Sequence, residues 1–206
     1  MSFPLLIITK TDLKHSSYPV DSLMMAANCD EKRAGFKHDG RSHFWLISDI
    51  KVIPEQLYMG LDDKIVLCGV RNMDELDDIS SFMKSNAGLD IRGFWLLIDN
   101  VENMFSLRSL FESTCTISGL ILDTIELGNS MALEETPGRL GLLGCISEAV
   151  LTCRFYKVPI LDGAHPLDAK DKAFAKVCEQ ARKLGFDGKV VTSVEQYETA
   201  KDIFST

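Results

Sequence analysis

The chain has 206 residues, 46% hydrophobic and 25% charged, enough apolar material for one sizeable buried core in one domain. Its 30 acidic residues outnumber 22 Lys and Arg, giving a formal net charge of −8, and the bases are scattered, which excludes a general electrostatic grip on nucleic acid. No apolar run approaches the roughly 18 to 20 residues of a membrane-spanning helix, and MSFPLLIITKTD has no basic stretch ahead of its apolar one, as fits the first strand of a cytosolic protein.

In chain order, PLLIIT (4–9) and HFWLIS (43–48) are predicted strands, with the polar, glycine-bearing loop KRAGFKHDGRS (32–42) between them. From residue 65 the pattern becomes regular. Strands are predicted at IVLCGV (65–70), FWLLID (94–99), GLILD (119–123), VPILD (158–162) and KVVTS (189–193), each short and uniformly apolar, as strands covered on both faces are. Helical spacing predicts helices over 73–84, 103–113, 139–156 and 168–184, the first with Asn72 as cap and Glu75 at its third position. ELGNS (126–130) and ETPGRLGLLG (135–144) bear glycines but match neither a Walker A run nor a dinucleotide fingerprint. Those glycines are expected to shape a loop and allow close helix packing.

The last stretch is the most legible. Phe174, Cys178, Ala181 and Leu184 recur at helical spacing, Gly185 permits a left-handed stop, and Phe186 is placed to fold back on the last turn. Ser193 with Gln196 three residues on is a capping-box signature before Tyr197, Ala200, Ile203 and Phe204. Strand–helix alternation of this kind builds right-handed βαβ units on a parallel sheet. Seven strands are legible where a (β/α)8 barrel needs eight. The expected fold is therefore α/β, a single (β/α)-barrel-like domain over residues 1–206. Either an eighth strand is hidden around VIPEQLYMG (52–60), or the barrel is trimmed or open at its N-terminal end.

Ligands of parallel α/β folds gather at the carboxyl ends of the strands. There Asp99 closes WLLID, Asp123 closes LILD with Glu126 just beyond, Asp162 closes PILDG, and Thr192 and Ser193 close the last strand. Several carboxylates at one mouth, without matching bases, suggest a hard divalent cation that relieves their repulsion. Taken singly, each Asp is equally suited to capping the helix or turn that follows it. His165 in DGAHP is a loop histidine suited to acid–base work or to plain surface polarity, and Cys68 a strand-end thiol with no assignable His partner. The six cysteines (29, 68, 115, 145, 153 and 178) have no C-x-x-C spacing and are expected as ordinary thiols.

VPILDG (158–163), LGFDGKVV (184–191) and the spacing through EQYETAKDIF resemble the citrate lyase β-subunit branch of the HpcH/HpaI aldolase family, most strongly over Gly119–Phe204. The resemblance implies a (β/α) barrel ending in a Gly-Phe-Asp-Gly-Lys turn, the last strand and a docking helix. It also implies a Mg2+ ion held by a Glu and an Asp at successive strand ends. Those places match Asp99 in LLIDNVEN and Glu126 in LDTIELG, the acid types exchanged but charge and ligand chemistry kept. The activity implied is metal-dependent retro-aldol or retro-Claisen cleavage of a carboxylated acyl-CoA thioester or an oxo acid, with the cation stabilising an oxyanion or enolate.

Several family features are replaced. The V-R-I-N-like run matches FWLISDI (44–50), which has no arginine; the L-P-K run is LCG (67–69), and I-H-P is Thr192, Ser193 and Val194. The N-terminal L-E-D run has no counterpart. Arg71, just past LCGV, is the candidate to stand in for the missing arginine, against a solvated arginine pairing with Asp74 or Glu75. Asp162 is the second catalytic candidate. Lys189, with Lys170, Lys172, Arg182 and Lys183, is the candidate for a coenzyme A phosphate, against a solvated face. Family likeness further implies a homo-oligomer, trimer or hexamer. The rival function is a catalytically silent barrel kept as a binding or assembly subunit.

Overall fold

In the computed structural model, eight parallel strands pair in chain order and the last returns to the first, closing the sheet. They are β1 (Leu6–Thr9), β2 (Leu23–Ala26), β3 (His43–Ile47), β4 (Lys64–Cys68), β5 (Phe94–Ile98), β6 (Ile117–Leu122), β7 (Ile160–Asp162) and β8 (Gly188–Val191). The structure describes the backbone of the first four strands, helical residues within 74–81, and residues 94–205 apart from 114–115, 135, 137 and 168–171. Closure is made by β1 on β8, with Leu6 opposite Val190 and Ile7 opposite Val191. The barrel is thus complete. Its strand not anticipated from sequence is Leu23–Ala26; 52–60 and the loop 32–42 lie outside the described residues.

The helices of the described part are α1 (Val101–Phe105), α2 (Leu107–Phe111), α3 (Thr124–Ser130), α4 (Leu143–Tyr156), α5 (Lys172–Leu184) and α6 (Val194–Phe204). A 3-10 turn at Leu140–Leu142 leads into α4. The expected helix 103–113 is two short helices that meet at Ser106. ELGNS belongs to a helix rather than a loop, because Gly128 is buried beside Leu142 within α3. No helix among the described residues is long and apolar enough to cross a membrane.

Strand alternation sorts the side chains. Leu96 and Ile98 of β5, Leu120 and Leu122 of β6 and Ile160 of β7 pack in one cluster with Leu107, Leu110, Ile146 and Ala149 of the helices, forming the layer between sheet and helices. Trp95 therefore points the other way, into the barrel, where it is buried opposite Gly119. A Cβ at Gly119 would stand 2.7 Å from the Trp95 ring, so only glycine leaves the indole its space.

Helix ends follow local chemistry. Gly185 takes φ +100°, its N–H donates to Arg182 O and Phe186 N–H donates to Ala181 O, the double bond of a Schellman stop, and Phe186 is buried. Ser193 Oγ accepts from Gln196 N at 3.1 Å. The reciprocal arm of the expected capping box differs: Gln196 Oε1 accepts from Thr192 N at 2.8 Å, while its Nε2 donates to Leu167 O at 2.6 Å. Gln196 thereby ties the loop after β7 to the start of α6.

Candidate functional site

The carboxyl ends of β5, β6 and β7 are held in step by backbone bonds: Asp123 N donates to Ile98 O and Gly163 N to Leu122 O, both at 2.8 Å. By alternation with Ile98 and Leu122, Asp99 and Asp123 turn toward the barrel mouth. Asp99 is half-buried and its Oδ1 accepts from Asn100 Nδ2 at 2.8 Å. The cap of α1 is Asn100, whose Oδ1 accepts from Asn103 N. Asp123 does cap: its Oδ1 accepts from Ile125 N and Glu126 N. Burial pushes the Asp123 carboxyl up, against the pull of those two N–H groups, with Glu126 and Asp162 nearby adding to the rise. Glu126 stands exposed in the first turn of α3. Gly163 completes the rim, where a Cβ would lie 2.7 Å from Asp123 Cα.

Behind the rim is a buried ionic cluster. Asp162 and Lys189 are opposite one another on β7 and β8, and Lys189 Nζ donates to Asp162 Oδ2 at 2.6 Å and to Gly163 O at 2.7 Å. Arg139 forks onto the same carboxylate, Nη1 to Oδ1 at 2.7 Å and Nη2 to Oδ2 at 2.9 Å, and Thr124 Oγ1 donates to Oδ1 at 3.3 Å. The side chains of Asp162, Lys189 and Arg139 are 0%, 1% and 11% exposed. Burial alone would raise the Asp162 carboxyl, but Lys189 and Arg139 hold it below the usual carboxylate value.

Arg139 reaches this position from a left-handed backbone, φ 54° and ψ 40°, immediately before the 3-10 turn. Its other flank faces a pocket of about 110 Å3 between α3, the 133–142 segment and the loop after β7, lined among others by Thr124, Gly128, Leu142 and His165.

Barrel geometry and relatives agree. No family model matches the chain. It matches (3S)-malyl-CoA thioesterase of Cereibacter sphaeroides at 25% identity over 111 residues, 54% of this chain and 39% of that relative. The match thus spans well under two thirds of the relative's length. Among solved structures, RipC of Yersinia pestis is similar with a TM-score of 0.77 at 16% identity, over 98% of this chain and 95% of that one. The citrate lyase β-subunit of M. tuberculosis, complexed with oxaloacetate and magnesium, is similar with a TM-score of 0.64 at 12% identity, over 81% of this chain and 74% of that one. These likenesses support the resemblance to the citrate lyase β-subunit-like group of the HpcH/HpaI aldolase family, and the solved structures share the barrel fold.

Among the residues singled out from sequence, Asp99 directly follows β5 and Glu126 lies in the first turn of α3, just past the neighbouring β6. Asp162 and Lys189 instead form the buried pair behind it. Lys189 departs from expectation. It shares no solvated face with Lys172, Arg182 and Lys183, which are exposed on α5; an ammonium 1% exposed and bonded twice within the protein offers nothing to a coenzyme phosphate. Arg71 lies outside the described residues, as do Lys170 and the Asn72 cap; of Cys68 the structure describes its place at the end of β4. His165 is half-buried on the pocket wall, its Nδ1 accepting from Leu167 N at 3.3 Å. Cys153 and Cys178 are buried free thiols, pushed by burial up to about 12 and about 11.

Among the described residues no three Asp, Glu, His or Cys side chains converge on a metal-sized point. Asp99, just past β5, and Glu126, in the first turn of α3 just past β6, nonetheless carry hard oxygen donors of the kind Mg2+ takes, and that ion keeps several water or substrate oxygens in its shell. Arg139 is the residue that sequence reasoning missed. A lone basic residue in the otherwise uncharged PGRLGLLG (137–144), just ahead of a helix, was the available signal.

Proposed function

We propose that this chain is a divergent, Mg2+-dependent carbon–carbon lyase that cleaves a carboxylated acyl-CoA thioester or an oxo acid. The reading is supported by the pairing of β5 with β6, Ile98 opposite Leu122, since Asp99 directly follows β5 and Glu126 lies in the first turn of α3 just past β6. These two carboxylates would hold Mg2+, which when bound would supply a Lewis acid for the substrate oxygen on which negative charge develops. Asn100 fixes the Asp99 carboxylate by its 2.8 Å bond, and the exposed Glu126 is free to meet an incoming ligand. Asp162 acts by holding Arg139 and Lys189 in place. In this reading Arg71 remains the candidate for the positive charge that the V-R-I-N-like run carries elsewhere in the family.

A second chemistry draws support from the relatives, which carry the name malyl-CoA thioesterase: hydrolysis of the thioester with the carbon chain intact. The third outcome is the silent barrel.

Calorimetric titration of Mg2+ into metal-free protein, with and without oxaloacetate, decides first. Binding by the wild type that disappears in the combined Asp99→Asn, Glu126→Gln variant is the expected result. No binding, even with oxaloacetate present, would sink the magnesium reading and leave the silent barrel. Malyl thioester then separates the chemistries. Acetyl thioester plus glyoxylate marks the lyase, malate plus free thiol marks the hydrolase, and no product marks a binding subunit.

A further inference from the structure

The ionic cluster behind the mouth is unbalanced. Two cations, Arg139 and Lys189, share the single carboxylate of Asp162, and all three are withdrawn from solvent. A buried surplus of positive charge is costly unless something compensates it. Asp123 lies close enough to influence Asp162, but its Oδ1 is committed to the first N–H groups of α3. Glu134 on the pocket wall and Glu126 beyond it are exposed, where solvent screens them. Lys189 is used up by Asp162 and Gly163 O.

Arg139 is different. A guanidinium has five N–H donors, and Asp162 takes two of them. The other three make no hydrogen bond among the described residues: Asp162 is the acid that pairs with Arg139 there, and Arg139 lines the pocket. Thr124 and His165 add polar wall, while Gly128, Leu133 and Leu142 keep the rest apolar. A planar fork whose inner edge is clamped by a carboxylate is held in one orientation before any ligand arrives.

We propose that this pocket is a binding site for a compact oxyanion, a carboxylate or a phosphate, with Arg139 as its anchor and Asp162 and Lys189 as the groups that orient that anchor. Neither Asp99 nor Glu126 lines the site, which needs no cation. Its volume suits the acid end of a small molecule rather than a whole nucleotide. A carboxylate occupant makes it a subsite for an acid substrate, and a phosphate occupant makes it a subsite for a coenzyme.

The test is calorimetric titration of metal-free, full-length protein with oxaloacetate and, separately, with inorganic phosphate, for the wild type, Arg139→Met and Gly128→Val. Arg139→Met leaves the Asp162–Lys189 pair one to one. Gly128→Val fills the pocket without touching the cluster, since a Cβ there meets only Leu142 Cδ1, at 3.8 Å. At least one anion should bind the wild type and weaken tenfold or more in both variants. Oxaloacetate alone would identify a carboxylate subsite and phosphate alone a phosphate subsite. Wild-type protein that binds neither anion, or an Arg139→Met variant that binds as well as wild type, overturns the proposal. If Arg139→Met does not fold, Gly128→Val decides: unchanged affinity there overturns it. Binding that appears only with Mg2+ and vanishes only in the Asp99→Asn, Glu126→Gln variant supports the metal site and refutes this one.

Discussion

Asp162→Asn removes the one carboxylate that two buried cations share while keeping nearly the same shape. Lys189 is then left 1% exposed and Arg139 11% exposed with no acid between them. Removing one partner of a buried ion pair costs about 3–5 kcal/mol, a large part of the roughly 5–15 kcal/mol that stabilises a typical domain. With a urea m-value of about 2 kcal/mol/M, the unfolding midpoint should fall by about 2 M, read by tryptophan fluorescence. Lys189→Met should cost less, about 1–3 kcal/mol, because Arg139 still forks onto Asp162 through two bonds. The pH dependence has a definite sign. Asp162 is held below the usual carboxylate value, so its stabilisation is complete above the unfolded value near 3.9 and is lost as pH falls through the folded value. The gap between wild type and Asp162→Asn should therefore be constant near neutrality and narrow only on the acid side of about pH 4. A midpoint shift under about 0.5 M, or a Lys189→Met variant less stable than Asp162→Asn, would refute the account of two cations balanced on one acid.

Gly119→Ala drives a methyl into the Trp95 ring, 2.7 Å from its nearest atoms, and should destabilise by about 1–3 kcal/mol; an unchanged melting temperature would mean that the indole has room to move. Asp123→Ala should cost about 1 kcal/mol by uncapping α3, whereas Asp123→Asn, which also caps, should cost less than half of that. The Asp123 carboxyl is raised by burial, so its charge opposes folding at neutral pH and the penalty fades as pH falls through the folded value. Asp123→Asn should abolish that component of the acid limb, measurable by urea titration across pH 3–6.

Features set by neighbours in sequence were the legible ones. The Gly185–Phe186 stop and the Ser193 cap involve residues within five positions of one another, so their chemistry is written in LGFDGKVVTSVEQ. The later strands were legible because each is a short apolar run between polar turns. LMMA (23–26) is no different in kind, with Asp21 and Ser22 before it and Asn28 after it, but it has only four residues and none of them is β-branched or aromatic, so it carries little strand preference. ELGNS was misread because glycine signals a loop unless packing overrides it, and in α3 the packing of Gly128 beside Leu142 does. The cluster at the site was the least visible. Arg139 and Lys189 meet Asp162 across 23 and 27 positions, and no local pattern records such a meeting. Lys189 looked like one more surface base because its sequence neighbours on α5 are surface bases.

The closed sheet has a consequence for the order in which the molecule assembles. β5 through β8 pair each with the next along the chain, so this half can organise through contacts of modest sequence separation. The seam between β1 and β8 is another matter, since Leu6 meets Val190 across almost the whole length of the protein. Bringing such distant segments together costs loop entropy before any ladder bond forms. Completion of the ring is therefore the natural late step of folding, and until β1 arrives the outer edge of β8 stands open beside Lys189 as a template for any passing strand.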